Sequence, residues 1–209
     1  MKKYKFVLAS QSPRRREILG KLGVDFEVIV SDVEENTSET EPEEIVKALS
    51  KLKAEAVFER IKEDYDKLVV IGSDTVVAYH GEIMGKPKDR EDAFRMIRSF
   101  AGDTHYVFSG VTVIVKERDL CCADDIKKAG KDSIKCITFG VGTAVDVEEM
   151  SDEEIYAYID TGEPYDKAGA YAVQGLFAPY VNGIRGDYYN IVGLPLNKLY
   201  KVLKEEKTV

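Results

Sequence analysis

Two long β-rich segments with no helical pattern between them constrain the fold of this chain most. Residues 104–115 and 137–147 are dense in β-branched and aromatic side chains, which favour strands. Strands that are joined without a crossover helix pair antiparallel, so we expect these segments to be antiparallel neighbours. The charged segment from Lys116 to Lys135, which lies between them, is predicted to form an extended hairpin tip.

Shorter strands alternate with helices in the first half of the chain. Strands are predicted over residues 5–9, 26–30 and 68–71. After the first strand, Ser12 can cap a helix and Pro13 can occupy its first turn. This alternation of strands and helices is typical of an α/β protein.

A long helix is predicted between the second and third strands. Thr40 has capping-box spacing to Glu43, and the helical pattern ends near Glu63. The apolar positions that recur at helical spacing, and are expected to face the core, are Ile45, Ala48, Leu49, Leu52 and Ala56.

The third strand ends in a Gly-Ser-Asp sequence that carries a candidate catalytic carboxylate. The strand is expected to stop at residues 72–74 and to resume at Thr75, before a turn at His80-Gly81. Asp74 is therefore predicted at a strand junction, where partial desolvation can tune it and water or a metal ion can reach it. On spacing alone, an ordinary turn aspartate is the favoured interpretation.

The second half of the chain adds three helices to the antiparallel strand pair. They are predicted after the cap Asp89, after the capping box that begins at Ser151, and from Pro195 onward. The fold class is therefore predicted to be α/β, with α+β as the alternative, and to contain a mixed β-sheet flanked by helices. We expect a single domain over residues 1–209, with one core or two lobes that share a cleft.

Composition excludes several classes of partner. The net charge of -8 argues against nucleic acid or an anionic membrane surface, because both require a cationic field. No apolar run approaches the roughly 18 to 20 residues that span a bilayer, and residues 1–10 are too short for a signal peptide, so we expect a cytoplasmic location. Cys121, Cys122 and Cys136 are odd in number and have no nearby histidine, so packing or surface thiols are favoured over disulfides or zinc.

The segment from Ser10 to Arg16 has the features of an anion-binding helix start. It joins a strand end, two hydroxyl groups, a helix N-terminus and three arginines. Backbone N–H groups and the helix dipole attract phosphate there, and Arg14 and Arg15 can hold phosphate oxygens in fork geometry. A capped helix with solvated arginines is the alternative, although cations in a first turn oppose the dipole.

Three further polar residues are candidates for the same cleft. Lys86, which precedes Pro87, can return from the following hairpin to the mouth of the cleft. Lys53 is interpreted from helical periodicity as a solvated lysine, with a phosphate ligand as the alternative. Gln174 lies in a loop-rich stretch from Glu163 to Gly193 that is rich in glycine and tyrosine, and its amide can donate and accept at a base edge.

Six motifs, in this order, resemble the Maf family, the septum-formation-related nucleotide pyrophosphatases, from end to end of the chain. They are Ser10-Gln11-Ser12-Pro13-Arg14-Arg15, Ser73-Asp74-Thr75-Val76-Val77, Gly85-Lys86-Pro87, residues 104–111, residues 163–171 and residues 186–195. The resemblance implies a two-lobed mixed-sheet fold around a nucleotide-binding cleft. It also implies hydrolysis of a nucleoside triphosphate to the monophosphate and pyrophosphate, with a divalent cation, Mg²⁺ or Mn²⁺.

The resemblance also assigns roles to individual residues. Asp74 falls on the proton acceptor of the family and, with Glu34, on the metal side of the cleft. Arg14, Thr75 and Gln174 fall on positions tied to the choice of base, and the Asp-Thr-Val-Val form resembles the branch that acts on dTTP and UTP. The remaining matches, on the phosphate side of the cleft, are Ser10, Arg15, Lys53, Lys86 and Lys167.

Two other functions stay open at this point. One is the same hydrolysis of 7-methyl-GTP, although that branch reads Asp-Gln where this chain has Asp74-Thr75. The other is a nucleotide-sensing division regulator without turnover, which would need no general base at Asp74. A homodimer is expected for a protein like this, and the 116–135 segment has no counterpart in the family pattern.

Overall fold

The computed structural model describes residues 3–118 and 132–209. The strands of the described part are β1 (Lys5–Ala9), β2 (Phe26–Val28), β3 (Lys67–Tyr79), β4 (Glu82–Met84), β5 (Thr104–Arg118), β6 (Asp132–Val147) and β7 (Val181–Arg185). The helices are α1 (Pro13–Gly20), α2 (Pro42–Ile61), α3 (Arg90–Phe100), α4 (Asp152–Ile159), α5 (Tyr188–Val192) and α6 (Leu196–Glu205). None of the helices in the described residues combines the length and the apolar composition that a membrane span requires.

The strands form one mixed sheet, which confirms the predicted fold class. Its order is β2-β1-β3-β5-β6-β7, with β4 paired to the end of β3. Strand β1 pairs parallel with β2 and β3, whereas β3, β5, β6 and β7 pair antiparallel. The predicted antiparallel pair is therefore present, and its strands extend into the expected hairpin tip. Cys121, Cys122 and the rest of that tip lie outside the described residues, whereas Cys136 is free and exposed.

Alternating side chains divide the sheet between two hydrophobic clusters. Phe6 and Leu8 pack with Leu199 of α6 on one face, and Val7 packs with Val57 of α2 on the other. This is the two-residue period that a strand buried on both faces requires. Helices α1 and α6 therefore lie on one side of the sheet and α2 lies on the other.

A third hydrophobic cluster surrounds the far ends of the long strands. Val77 of β3, Val107 of β5 and Val145 of β6 pack there with α3 and α4. Ile71, six residues before Val77 on β3, belongs to the cluster beside α6. Strand β3 thus runs from one core to the other, and its middle residues lie between two lobes.

Two details of α2 differ from the prediction. Its N-cap is Glu41, without a capping side-chain hydrogen bond, so the expected capping box at Thr40 is wrong. The buried face of α2 is also rotated about the helix axis relative to the predicted face. Apolar periodicity could not locate it, because the buried face includes polar residues. It consists of Val46, Leu49, Ser50, Lys53, Ala54, Val57, Phe58 and Ile61.

The third cluster contains a buried histidine, His105, which is fully inaccessible. Its Nε2 atom lies 2.7 Å from the hydroxyl oxygen of Tyr171, and its ring lies against that of Phe100. Burial lowers the pKa of His105 from its ordinary value to about 4, although Asp146 acts in the opposite direction. The imidazole is therefore neutral in the folded protein at pH 7.

We expect His105 to make the folded state acid-sensitive. Between pH 6.5 and 4 the unfolded chain protonates this histidine while the folded chain does not, so stability falls as pH falls through this window. Above pH 6.5 the contribution is constant. Urea unfolding at pH 7, 6, 5 and 4 should show that the free energy of unfolding falls by up to about 3 kcal/mol because of His105. The fall should be smaller in His105→Gln.

His80 provides the matched control, because its side chain is 75% exposed. His80→Gln should keep the pH dependence of the parent protein, including the part that titrating carboxylates contribute. Equal pH slopes in the parent protein and in His105→Gln would contradict a neutral buried His105.

Candidate functional site

A cleft of about 730 Å³ opens beside the middle of β3. Residues from the β1–α1 connection, α2, β3, the β4–α3 connection and the 163–175 loop line it. The structure brings together Ser10, Arg14, Arg15, Lys53, Asp74, Thr75, Lys86, Lys167 and Gln174 in this lining. Glu34 is not among the residues that line the cleft, whereas its neighbour Glu35 is.

Asp74 lies inside a continuous strand and not at a strand junction. Strand β3 pairs with β5 from Lys67 to Ala78, with Asp74 opposite Gly110. The expected break at residues 72–74 is therefore wrong. Turn-forming residues remain in the strand because their polar side chains have partners: Ser73 Oγ donates to Gly193 O at 2.9 Å, and Asp74 accepts from a lysine.

That lysine is Lys53 of α2, which is buried, so its interpretation as a solvated residue is wrong. Its Nζ atom lies 2.6 Å from Asp74 Oδ1 and 2.9 Å from Glu35 Oε2. The side chains of Lys53 and Asp74 are each only 11% exposed, whereas that of Glu35 is 56% exposed. One ammonium group thus joins two carboxylates at the floor of the cleft.

Two glycines allow α2 to lie close enough to the sheet for this contact. A Cβ atom on Gly72 would lie 2.4 Å from Ser50 O, and one on Gly110 would lie 2.2 Å from Val46 O. Both distances are shorter than van der Waals contact, so the backbone of α2 rests directly on β3 and β5. The position of Lys53 above Asp74 therefore depends on the absence of side chains at these two positions.

Arg15 is held on three sides by the protein. Its Nε donates to Gly193 O at 2.9 Å, one terminal nitrogen donates to Ser10 Oγ at 3.2 Å, and the other donates to Thr75 Oγ1 at 3.0 Å. Burial lowers the pKa of Arg15, while Asp74 and Glu35 act in the opposite direction. The guanidinium group stays charged, and its plane is fixed in the cleft wall.

The predicted helix start beside Arg15 is present. Ser12 is the N-cap of α1, its hydroxyl accepts from the backbone N–H of Arg15 at 3.4 Å, and Pro13 follows it. The backbone N–H of Ser12 donates to Ser10 Oγ at 3.2 Å. Two N–H groups that were expected to face an anion are therefore bonded within the protein, and the side chains of Arg14 and Arg15 carry the cationic character of this wall.

Sequence reasoning missed a chain of hydrogen bonds behind Arg15. Thr75 Oγ1 lies 2.8 Å from Ser109 Oγ, which donates to the backbone oxygen of Asn190 at 2.8 Å. The amide of Asn190 donates in turn to Val107 O and to Thr143 Oγ1, at 2.9 and 3.0 Å. Ser109 and Asn190 both lie in motifs quoted above, but their spacing alone gave no sign that they support Arg15.

The mouth of the cleft carries the remaining cations. Lys167 donates to the carboxylate of Asp166 and, at 3.3 Å, to Glu163 O. The bond from Lys167 lowers the pKa of Asp166, and Arg14 adds to this effect. Lys86 is exposed, and the loop that contains it is joined to the 163–175 loop by the bond from Gly169 N to Gly85 O, at 3.0 Å.

The charges of the cleft differ in sign from those of the whole protein. Five cationic side chains of the described residues line it, namely Arg14, Arg15, Lys53, Lys86 and Lys167. Three carboxylates, those of Glu35, Asp74 and Asp166, accompany them. A cationic cleft in a chain of net charge -8 is suited to bind a compact polyanion.

The carboxylates Asp74 and Glu35 have the chemistry of a Mg²⁺ site that is completed by substrate. Magnesium prefers oxygen ligands and is commonly held by one or two carboxylates together with phosphate oxygens. Over residues 3–118 and 132–209, no group of three or more His, Cys, Asp or Glu side chains is placed to hold a metal ion. Glu34 is exposed and accepts from Asn36 Nδ2 at 3.2 Å, so Glu35 takes the place in the cleft expected of Glu34.

Comparison with known proteins gives matches over nearly the whole chain. A family model described as Maf-like protein matches residues 5–206. A dTTP/UTP pyrophosphatase of Thermoanaerobacter sp. (strain X514) is 48% identical over 97% of this chain and 96% of its own length. Another, from Lachnoclostridium phytofermentans, is 46% identical over 97% of this chain and 95% of its own length.

Fold and site together define an α/β protein with a cationic cleft between two hydrophobic cores. The match over nearly the whole chain then identifies the family: the chain belongs to the Maf family. Among solved structures, the Staphylococcus aureus Ham1 protein aligns over 97% of this chain and 99% of its own, with a TM-score of 0.43 and 16% identity.

Proposed function

We propose that this protein hydrolyses dTTP and UTP to the nucleoside monophosphate and pyrophosphate. The observation that carries the proposal is Asp74, a buried carboxylate at the floor of a cleft whose walls are cationic. Membership of the Maf family and the similarity to dTTP/UTP pyrophosphatases support the choice of reaction and of base.

The cations of the cleft bind and orient the triphosphate. Three of the five N–H donors of Arg15 are bonded to the protein, which leaves the guanidinium group in one orientation with donors to spare for phosphate oxygens. Arg14, Lys86 and Lys167 add charge along the path to the mouth. Fixed cations of this kind lower the barrier by stabilising the charge that develops on the phosphates.

Asp74 acts as the general base. It takes a proton from a water molecule whose oxygen forms a bond to the α-phosphorus, while the bond from that phosphorus to the bridging oxygen breaks and pyrophosphate leaves. Before substrate binds, Lys53 holds the carboxylate in position through its contact with Oδ1. A divalent cation, Mg²⁺ or Mn²⁺, held by Asp74 and Glu35 together with phosphate oxygens, would supply further charge stabilisation.

Thr75 and Gln174 contribute to the selection of the nucleotide base in different ways. The hydroxyl of Thr75 is engaged by Arg15 and Ser109, so it acts through the position of Arg15. Gln174 is exposed in the cleft wall, and its amide is free to bind a pyrimidine edge.

A nucleotide panel tests the proposal directly. We expect rapid release of pyrophosphate and monophosphate from dTTP and UTP in the presence of Mg²⁺ or Mn²⁺, with slower release from 7-methyl-GTP. Products are identified by chromatography, so that pyrophosphate is distinguished from two successive phosphates. A preference for 7-methyl-GTP would overturn the choice of base, and dTTP binding without any monophosphate over hours would favour a nucleotide sensor.

We further propose that the protein is a cytoplasmic homodimer. The homodimer is what the resemblance to the Maf family implies, and the cytoplasmic location is the expectation drawn from the sequence. Light scattering at several protein concentrations measures the mass in solution, and a monomer of 23.4 kDa at all concentrations would contradict the dimer.

A further inference from the structure

Lys53 lies where a metal ion shared by two carboxylates would be expected. Its ammonium group is 2.6 Å from Asp74 Oδ1 and 2.9 Å from Glu35 Oε2. The same two carboxylates are the ones whose chemistry fits Mg²⁺ in the cleft. An ammonium group and a metal ion cannot both lie between these oxygen atoms, because each would occupy the same volume.

We propose that Lys53 is a resident cation that competes with the divalent ion for Asp74 and Glu35, so that metal binds tightly only together with the triphosphate. Before substrate binds, Lys53 holds the two carboxylates in place. When the triphosphate enters, the ammonium moves toward the phosphates and releases carboxylate oxygens to the metal. This inference rests on the metal-dependent hydrolysis proposed above.

The charge balance around the carboxylates supports this order of events. Lys53 contacts both carboxylates directly, and Arg15 is close enough for both to raise its pKa. Two positive charges therefore offset two negative charges, which leaves little net attraction for a divalent cation. A triphosphate brings several negative charges and oxygen ligands into this site. With these added, the two carboxylates bind the divalent cation in preference to the ammonium group of Lys53.

The structure also shows which part of Lys53 is able to move. Helix α2 rests on the sheet at Gly72 and Gly110, so the backbone of Lys53 is fixed. Its side chain has four methylene groups, and rotation about their bonds can displace the ammonium group without movement of the helix. Glu35 is 56% exposed and lies in the segment before α2, so it is free to turn toward a metal ion.

The test measures binding of Mn²⁺ to the protein without nucleotide, by electron paramagnetic resonance of the free ion. We expect weak binding to the parent protein and at least about tenfold tighter binding to Lys53→Met and Lys53→Gln, because both remove the competing charge. The glutamine variant retains a hydrogen-bond donor for the carboxylates, so it provides a result if the methionine variant does not fold. Lys53→Arg keeps the charge and should bind Mn²⁺ as weakly as the parent protein.

Two further variants show whether the effect belongs to this site. Lys51→Met removes an exposed lysine of the same helix, so it controls for the change in net charge and should leave Mn²⁺ affinity unchanged. Glu35→Gln in the Lys53→Gln background should abolish the gain. Binding to both Lys53→Met and Lys53→Gln that is no tighter than to the parent protein would overturn the proposal. Since no turnover is measured, this result is separate from a failure to hydrolyse dTTP or UTP.

Discussion

Asp74→Asn should lower kcat for dTTP hydrolysis about 10²- to 10⁴-fold, which is a loss of roughly 3 to 5 kcal/mol of transition-state stabilisation. Asparagine has nearly the same shape as aspartate and can still accept a hydrogen bond from Lys53, but it cannot take a proton from water. Steady-state release of pyrophosphate, with folding checked by circular dichroism, measures the effect.

Asp166→Asn is the matched control, because Asp166 is a second carboxylate of the same cleft but is bonded to Lys167 at its mouth. Its effect on kcat should be small in comparison. Near-normal turnover of Asp74→Asn would show that Asp74 is not the general base, whereas equal losses in both variants would indicate a general effect of charge in the cleft.

Gly110→Ala should destabilise the protein by about 3 kcal/mol or more, the upper part of the range for overpacking. The new Cβ atom would lie 2.2 Å from Val46 O and 2.7 Å from Lys47 N, and these are backbone atoms of α2 that cannot rotate away. Relief requires α2 to move from the sheet, which also withdraws Lys53 from Asp74. Urea unfolding measures the stability, and pyrophosphate release under folded conditions measures the effect on the site.

The chain offers a close control for this substitution at Gly140, which is the cross-strand partner of Gly110. The three atoms nearest to a Cβ atom there all belong to the side chain of Glu43, the nearest at 2.4 Å, and this exposed side chain can rotate away. Gly140→Ala should therefore change stability by less than about 1 kcal/mol. If the two substitutions have equal effects, close contact of α2 with the sheet is not what requires glycine at 110.

The sequence predictions were most accurate for features that depend on interactions between residues close together in the chain. The caps at Ser12, Asp89 and Ser151 depend on hydrogen bonds within three residues, and the structure contains all three. At Thr40 the same local signal was wrong, because the helix begins later, at Pro42. The pairing of β5 with β6 was predictable because the segment between them contains no crossover helix.

The predictions about Asp74 and Lys53 were wrong for a different reason. A Gly-Ser-Asp sequence favours a turn, but a ladder from Lys67 to Ala78 keeps it extended, and remote partners satisfy its polar side chains. Helical periodicity assigned Lys53 to solvent because it treats charged residues as exposed. Only the partner carboxylates, 21 and 18 residues away in the chain, make its burial favourable.

By itself, the sequence determined the mixed-sheet class, the order of the strands and helices other than β7 and α5, the family, and most of the charged residues that line the cleft. These depend on side-chain pattern and motif order, which are properties of neighbouring residues. The tertiary structure decided that Glu35 and not Glu34 enters the cleft, that Thr75, Ser109 and Asn190 support Arg15, and that Lys53 joins two carboxylates. Each of these features is a contact between distant segments or depends on the direction in which one side chain points. The pattern of neighbouring residues in the sequence specifies neither the contact nor the direction.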